Sequence, residues 1–310
     1  MSAHRFPNEV DHREPLSPQL PSSDSRRNWK AIARFQDLGR TAMTKGTSSF
    51  SLLFLVLLFV VAGLAQDSRE VRKSGEFAQN GRVSIDTYKG SIKVFTWNKS
   101  QIEIVARIES DDSDRHSRER VEDTEIRIDL SSHAARIKTD YERVRNRQSG
   151  FLGIIVGVNS DNLPLVHYTI KVPKTTNLEI KDYKSRTEVN DLESDVKIET
   201  YKGEVAVGRL SGSLTLETYK GDVRIDFARL NGSSRFETYK GTVEISLPRG
   251  KGFELDADIG RHGSFESDFA FERNRRQDQR KDMEVRSAVN GGGPLVQLKT
   301  DHGTIRLLER

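Results

Sequence analysis

The sequence from Leu214 to Ile225, LTLETYKGDVRI, decides the fold of this 310-residue chain. Its central Thr-Tyr-Lys-Gly also occurs at residues 200–203 and 238–241. The tyrosines of the three copies are 18 and 20 residues apart. Copies at such a spacing are typical of a solenoid, in which each repeat is one turn of chain stacked on the next.

On both sides of the Tyr-Lys-Gly corner, apolar and polar residues alternate with the period of a β-strand. In the central copy, Leu214, Leu216 and Thr218 share one face before the corner, and Val223 and Ile225 share it afterwards. The opposite face carries mainly charged and polar side chains. Each repeat is therefore predicted to be a strand, a corner and a second strand, with the apolar face directed inward.

Glycine suits the corner because it adopts positive φ without a Cβ penalty. It would suit the turn of a β-hairpin equally well, so a meander of hairpins is the alternative to a coil. The even spacing and near-identical copies favour the coil. A single turn buries too little apolar surface to offset the entropy cost of ordering its backbone, so we expect the turns to stack on a shared core.

Three weaker copies extend the array. Residues 83–94 match the whole pattern, residues 178–185 have Ser185 in place of glycine, and residues 296–307 keep the threonine and glycine without the tyrosine. We therefore predict an all-β fold, a single-chain, β-helix-like solenoid of strand, Gly corner and strand. A short capping helix is expected within the charged residues 111–122, where Val121 is the only apolar residue.

The chain divides into three segments by composition. Residues 1–48 form a polar leader, and residues 49–65 are dominated by an uncharged apolar run close in length to the core of a signal peptide. Residues 66–310 make up the predicted β-solenoid domain. Within it, residues from about 262 to 293 form a charged insert that we interpret as a loop.

Two interpretations of the apolar segment are open. A start at Met43 would leave residues 1–42 untranslated, and residues 63–65 fit the small-x-small rule for cleavage before Gln66. A start at Met1 favours a retained signal anchor. The repeats are extracytoplasmic in both cases, either periplasmic or secreted, or attached to the membrane only through an uncleaved anchor.

The charge distribution argues against nucleic acid as a partner. The chain has a net charge of +4, but residues 1–65 carry eight basic and five acidic side chains, which leaves about +1 for residues 66–310. A nucleic-acid-binding domain concentrates its basic charge on the folded part. The chain has no cysteine, and its seven histidines lack the spacing of a metal site, so neither a cofactor nor a metal is expected.

The pattern resembles a family of bacterial extracytoplasmic β-solenoid domains of unknown function described as "putative adhesins". The resemblance depends on the signal or anchor segment, the entry strand at residues 168–173, the repeats, and the closing residues 303–307. It covers the chain from Gly75 to the C-terminus. It implies a β-solenoid at the cell envelope without a known substrate or catalytic residues.

We therefore predict a non-catalytic scaffold or adhesin-like surface module, not an enzyme. Its expected partner is a cell-envelope or extracellular polysaccharide, or a surface protein. An alternative is an anionic polysaccharide-binding module that uses ring stacking and charge pairing. Its candidate ligand-binding residues are Tyr201, Tyr219, Tyr239, Lys202, Lys220 and Lys240. The structural interpretation is that the tyrosines cover the corners and the lysines solvate them.

A second alternative is an envelope enzyme that acts on glycans. Glu199, Glu217 and Glu237 occupy equivalent positions in the three copies, and glycoside hydrolysis uses pairs of carboxylates at defined distances. Repetition alone also produces such files of identical residues. The carboxylates are therefore a weaker basis for function than the tyrosine and lysine positions.

Overall fold

The computed structural model describes residues 68–111, 116–148, 162–270 and 283–310. The polar leader and the apolar segment 49–65 lie outside these ranges, so their roles stay predictions. Within the ranges, no helix combines the length and the apolar character needed to cross a bilayer.

Twenty strands and two short helices make up the described parts of the chain. The strands are β1 (Ser68–Glu76), β2 (Arg82–Asp86), β3 (Lys89–Trp97), β4 (Gln101–Glu109), β5 (Glu125–Leu130), β6 (Ala134–Asp140), β7 (Leu165–Pro173), β8 (Asn177–Asp182), β9 (Lys184–Asn190), β10 (Val196–Thr200), β11 (Glu204–Gly212), β12 (Leu214–Lys220), β13 (Val223–Leu230), β14 (Ser234–Lys240), β15 (Thr242–Leu247), β16 (Phe253–Ile259), β17 (Ser264–Ser267), β18 (Met283–Val289), β19 (Leu295–Thr300) and β20 (Thr304–Glu309). The helices are α1 (Ser117–Asp123) and α2 (Glu142–Gln148).

The strands form two ten-stranded sheets. Sheet A has the order β1-β4-β7-β3-β9-β11-β13-β15-β20-β17, and sheet B has the order β18-β16-β19-β14-β12-β10-β8-β2-β6-β5. Each corner joins a strand of sheet B to a strand of sheet A, so successive turns pair in parallel, as β10 does with β12 and β11 with β13. The two strands of a turn do not pair with each other, which rules out the hairpin meander and confirms the predicted coil.

The predicted inward face is also confirmed. Leu216 lies in register with Ile198 on one side and with Phe236 on the other, and all three side chains are fully buried. On the other side of the corner, Val223 pairs with Val205 and is likewise buried. The inward side chains therefore form continuous apolar columns between the sheets, and these columns supply the core that a single turn lacks.

The turns are not stacked in sequence order. The turn of β2 and β3 lies between the turn of β8 and β9 and the strands β6 and β7. Near the other end, β19 and β20 insert between the turn of β14 and β15 and the turn of β16 and β17. The C-terminal residues are thus internal strands of both sheets.

The charged insert at 262–293 contains strands as well as loop. β17 extends sheet A beside β20, and β18 pairs antiparallel with β16 at the edge of sheet B. Val285 and Val289 of β18 are buried, although charged residues dominate the composition of the segment. The loop interpretation was wrong for these residues because two buried valines are enough to fix a strand against an existing sheet edge.

The short helix predicted within residues 111–122 is present as α1, and it buries Val121. The side chain of Arg69 on β1 donates a hydrogen bond to the carbonyl of Thr124 directly after α1. The second helix, α2, was not predicted.

Candidate functional site: the tyrosine and lysine corners

The corners are held in register by backbone hydrogen bonds between successive turns. The amide of Lys202 donates to the carbonyl of Tyr183 at 2.8 Å, and the amide of Lys220 donates to that of Tyr201 at 2.9 Å. Each tyrosine therefore lies directly beside the tyrosine of the previous turn. The alternation of the strand places the preceding threonines, such as Thr218, inside the core.

Glycine is needed at the corners chiefly because the turns approach so closely. A Cβ on Gly221 would lie 2.0 Å from the carbonyl oxygen of Gly203, and a Cβ on Gly241 would lie 2.2 Å from that of Gly221. Gly241 also has a φ of +118°, as the conformational argument from sequence requires. Gly203 has no positive φ, so close approach is its constraint.

The corner tyrosines form a continuous stack, which we call the tyrosine ladder. Successive ring centroids are 4.6, 4.8, 4.7 and 4.9 Å apart, and the planes of neighbouring rings differ by 5 to 14°. The ladder consists of Tyr88, Tyr183, Tyr201, Tyr219 and Tyr239. The structure thus brings the three tyrosines predicted from sequence into direct contact.

Sequence reasoning missed two members of the ladder, Tyr88 and Tyr183. The signal was available, because both lie in the weaker copies of the repeat at residues 83–94 and 178–185. Their backbone pattern was recognised, but their rings were not assigned to the site.

Other aromatic rings close the two ends of the ladder. Tyr141 meets Tyr88 edge-on, with the centroids 6.4 Å apart. At the opposite end, the imidazole of His302 lies 5.0 Å from Tyr239, and His262 stacks on His302 at 4.9 Å. His302 belongs to the inserted turn of β19 and β20, and His262 belongs to the turn of β16 and β17 beyond it, so no local pattern could have predicted this contact.

The predicted lysines lie beside the ladder, and we call Lys202, Lys220 and Lys240 the lysine row. All three side chains are exposed. Lys220 and Lys240 are direct neighbours in the register of β12 and β14. The ammonium of Lys202 lies 5.3 Å from the centre of the Tyr201 ring, within the range of a cation–π interaction.

The stacking of the ladder leaves only the edges of its central rings open to a ligand. Tyr201 and Tyr219 each have another tyrosine ring on both faces, so a sugar ring cannot stack there. Burial raises the pKa of Tyr239, with Tyr219 and then Asp301 adding to the effect, so that phenol stays neutral. The half-buried ring edges and the ammonium groups of the lysine row are what remain for contact with a ligand.

The glutamates considered for catalysis lie side by side on the outer face of sheet B. Glu217 is in register with both Glu199 and Glu237, and its pKa is raised by burial first and then by these two carboxylates. Glu199 is paired with Lys197 at 2.5 Å, and Glu237 with Arg235 at 3.0 Å. A file on one sheet is not a pair of carboxylates flanking a bond, which is the arrangement that glycoside hydrolysis requires.

Within the parts of the chain that the structure describes, no group of three or more His, Cys, Asp or Glu side chains is arranged to hold a metal ion.

One known protein family matches the larger part of the stacked strands. The model of the family described as Toastrack DUF4097 matches residues 167–308. Residues 167–308 are similar to this family. This confirms the resemblance predicted from the repeats, and the family is one of unknown function. The Toastrack match begins within β7, yet β1 to β6 belong to the same two sheets, so the stack extends beyond it on the N-terminal side.

The solved structures that resemble this chain do so only weakly. A "putative cell adhesion protein" from Clostridium sporogenes is 14% identical, with a TM-score of 0.44, over 78% of this chain and 100% of that one. A "putative lipid binding protein" from Parabacteroides distasonis is 12% identical, with a TM-score of 0.25, over 77% and 96%. A "putative adhesin" from Bacteroides fragilis is 10% identical, with a TM-score of 0.24, over 78% and 97%. These similarities are too low to carry a functional argument, and no curated protein matches the chain in sequence.

Proposed function

We propose that this protein is a non-catalytic, adhesin-like surface module that acts outside the cytoplasm. The Toastrack match supports the solenoid scaffold on which this assignment depends. The predicted signal peptide or anchor supports the location. The apolar columns between two paired sheets give the module a rigid scaffold on which side chains repeat at the spacing of the strands.

We further propose that the lysine row and the edge of the tyrosine ladder contact an extended anionic polysaccharide. The observation that carries this proposal is the alignment of Lys202, Lys220 and Lys240 along an unbroken stack of rings. An exposed ion pair is worth only about 0.2–1 kcal/mol, so a single charge would bind weakly. A polymer that meets several ammonium groups at once gains from their number, since each later contact is intramolecular.

The experiment measures retention of the full chain on an immobilised acidic polysaccharide such as polygalacturonate. A variant with Lys202, Lys220 and Lys240 changed to glutamine removes three charges and leaves the rings in place. The matched control changes Lys93, Lys171 and Lys299 to glutamine, an equal change of charge away from the ladder, where the lysines lie near Glu188, Glu103 and Glu237. Binding by the lysine row predicts loss of retention in the first variant only.

Two outcomes would remove the polysaccharide proposal while leaving the scaffold assignment intact. One is the absence of retention in the parent protein on neutral and acidic polysaccharides alike. The other is equal retention of the two charge variants, which would mean that net charge, and not the row, is responsible.

A further inference from the structure

Five of the seven tyrosines in the chain belong to the tyrosine ladder, one from each of five turns. Tyr88 and Tyr183 are 95 residues apart in sequence, yet their ring centroids are 4.6 Å apart. The chain has no cysteine, so no disulfide can join its turns. A covalent link between turns therefore depends on other side chains, and the ladder brings oxidisable rings from successive turns into contact.

The ladder rings are oriented for coupling between neighbours. A tyrosine that loses one electron and its phenolic proton becomes a phenoxyl radical, in which the unpaired electron is shared between the oxygen and the ortho carbons of the ring. The orbital that carries this electron at an ortho carbon is perpendicular to the ring plane, so two radicals couple when their rings lie face to face. Neighbouring ladder rings are within 5 to 14° of parallel, which directs these orbitals toward the adjacent ring.

Tyr141 has the opposite geometry at the end of the ladder. Its ring plane makes an angle of 76° with that of Tyr88, and the two centroids are 6.4 Å apart. Its side chain is 5% exposed, and its hydroxyl donates a hydrogen bond to the carbonyl of Pro164 at 2.9 Å. Tyr141 is therefore a reference within the same molecule, a ring in contact with the ladder but not arranged to couple with it.

The ladder is also open to an oxidant. All five of its tyrosines are partly exposed, whereas Tyr141 and Tyr168 are buried. With no cysteine in the chain, no thiol competes for the oxidant. A protein outside the cytoplasm, as proposed above, also lies outside the thiol pools that keep cytosolic proteins reduced.

We propose that the tyrosine ladder is a modification site, at which a haem peroxidase and hydrogen peroxide join successive turns through dityrosine. Each of two neighbouring tyrosines gives up one electron and one proton. The two radicals form a bond between one ortho carbon of each ring; the hydrogen on each of these carbons then leaves as a proton, and each oxygen regains one. Hydrogen peroxide takes up the two electrons and two protons and becomes two molecules of water.

A dityrosine between turns restricts the unfolded chain as a disulfide does. A link from Tyr201 to Tyr219 closes a loop of 18 residues, and a link from Tyr88 to Tyr183 closes one of 95 residues. From the entropy cost of closing loops of this length, we expect each link to raise the Tm by about 5–10 °C. The modification would make the stack resistant to unfolding without altering its outward side chains elsewhere.

The test oxidises the purified full chain with a haem peroxidase and a limited amount of hydrogen peroxide, at a protein concentration low enough to disfavour links between molecules. Trypsin cleaves after the lysine that follows each ladder tyrosine, so each of these tyrosines lies in a peptide of its own. Mass spectrometry then identifies the coupled pairs. We expect dityrosine only between adjacent members of the ladder, with no link to Tyr141 or Tyr168, and a higher Tm for the linked monomer.

Two variants make the test specific to the ladder. Tyr219→Phe removes one phenol and keeps the stacked ring, so the two pairs that contain Tyr219 should be lost while those formed by Tyr88, Tyr183 and Tyr201 remain. Tyr141→Phe is the matched control, because it removes a phenol that touches the ladder edge-on. It should leave the yield of every ladder pair unchanged.

The proposal is overturned if the oxidised parent contains no dityrosine between adjacent ladder residues, or if its dityrosine joins mainly separate molecules. It is equally overturned if Tyr141→Phe lowers the yield as much as Tyr219→Phe does, because stacking would then not direct the coupling. A linked monomer with the Tm of the untreated protein would also contradict it. Polysaccharide retention does not enter any of these measurements, so the outcome is independent of the ligand proposed above.

Discussion

The ring of Tyr219 lies 4.7 Å from the ring of Tyr201, with 7° between their planes. The parallel register of β10 and β12 sets this distance, because it places equivalent residues one strand spacing apart. The same register applies to the lysines and glutamates of the repeat. The ladder and the charge files thus have one structural origin, and only measurements on variants can separate stability from binding.

Truncation of a central ring should destabilise the stack. Tyr219→Ala removes two stacking contacts, each worth about 0.5–1.5 kcal/mol beyond the buried area, so we expect a loss of about 2 kcal/mol. Tyr219→Phe keeps both contacts and should change the free energy of unfolding by less than about 1 kcal/mol. Urea denaturation measures both values. Equal stability of the two variants would show that the stacking itself contributes nothing.

Gly241 should tolerate no side chain, because its Cβ would meet the carbonyl of Gly221 as well as require an unfavourable φ. We expect Gly241→Ala to cost more than about 2 kcal/mol. Gly250 is the matched control, since it has a φ of +69° but nothing within 4 Å of its Cβ position. Gly250→Ala should cost only about 1 kcal/mol, and a similar cost at both sites would contradict the close approach of the corners.

Asp182 should make stability depend on pH. Its pKa is about 6 in the folded protein and 3.8 without burial, so between these values the native state binds more protons than the unfolded state. Stability should therefore fall as pH rises from about 4 to about 6 and stay lower above that range. The contribution is on the order of 3 kcal/mol.

Asp182→Asn should remove this dependence. We expect the variant to be more stable than the parent above pH 6 or so and to approach it near pH 4. Chemical denaturation across this range gives the two curves. Parallel curves would mean that Asp182 is not buried as a charge.

The sequence predicts the repeat unit well because each turn carries its own local signal. Alternation in residues 196–200 and 204–207 gives the strands, the glycine gives the corner, and the spacing of Tyr201, Tyr219 and Tyr239 gives the ladder. These features depend on neighbours within one turn or on the next turn. The confirmed coil and its apolar columns follow from them.

The order in which the turns stack cannot be predicted from the repeat pattern. Every turn presents a similar strand edge to its neighbour, so periodicity alone does not say that β20 pairs with β15 and not at the end of the stack. For the same reason, the contact of His262 with His302 could not be predicted, although both residues were visible in the sequence. The strand β18 was also missed from the composition, because charged residues outnumber its buried valines.

Disulfide cross-linking should establish the order of the turns directly, because the chain has no cysteine of its own. Thr304 lies between Thr242 and Ser264 in the register of sheet A. A pair of cysteines at Thr242 and Thr304 is therefore one strand spacing apart, about 4.8 Å, within the range that a disulfide spans. A pair at Thr242 and Ser264 is two spacings apart, close to 10 Å, and too far to bridge.

We expect mild oxidation to cross-link the Thr242→Cys/Thr304→Cys variant and to leave the Thr242→Cys/Ser264→Cys variant reduced. Non-reducing electrophoresis with thiol counting measures the yield. A stack in sequence order would place β17 beside β15 and β20 outside it, and would give the reverse result. Because both pairs share Thr242 and lie on the same sheet, differences in exposure or oxidation rate cannot imitate that reversal.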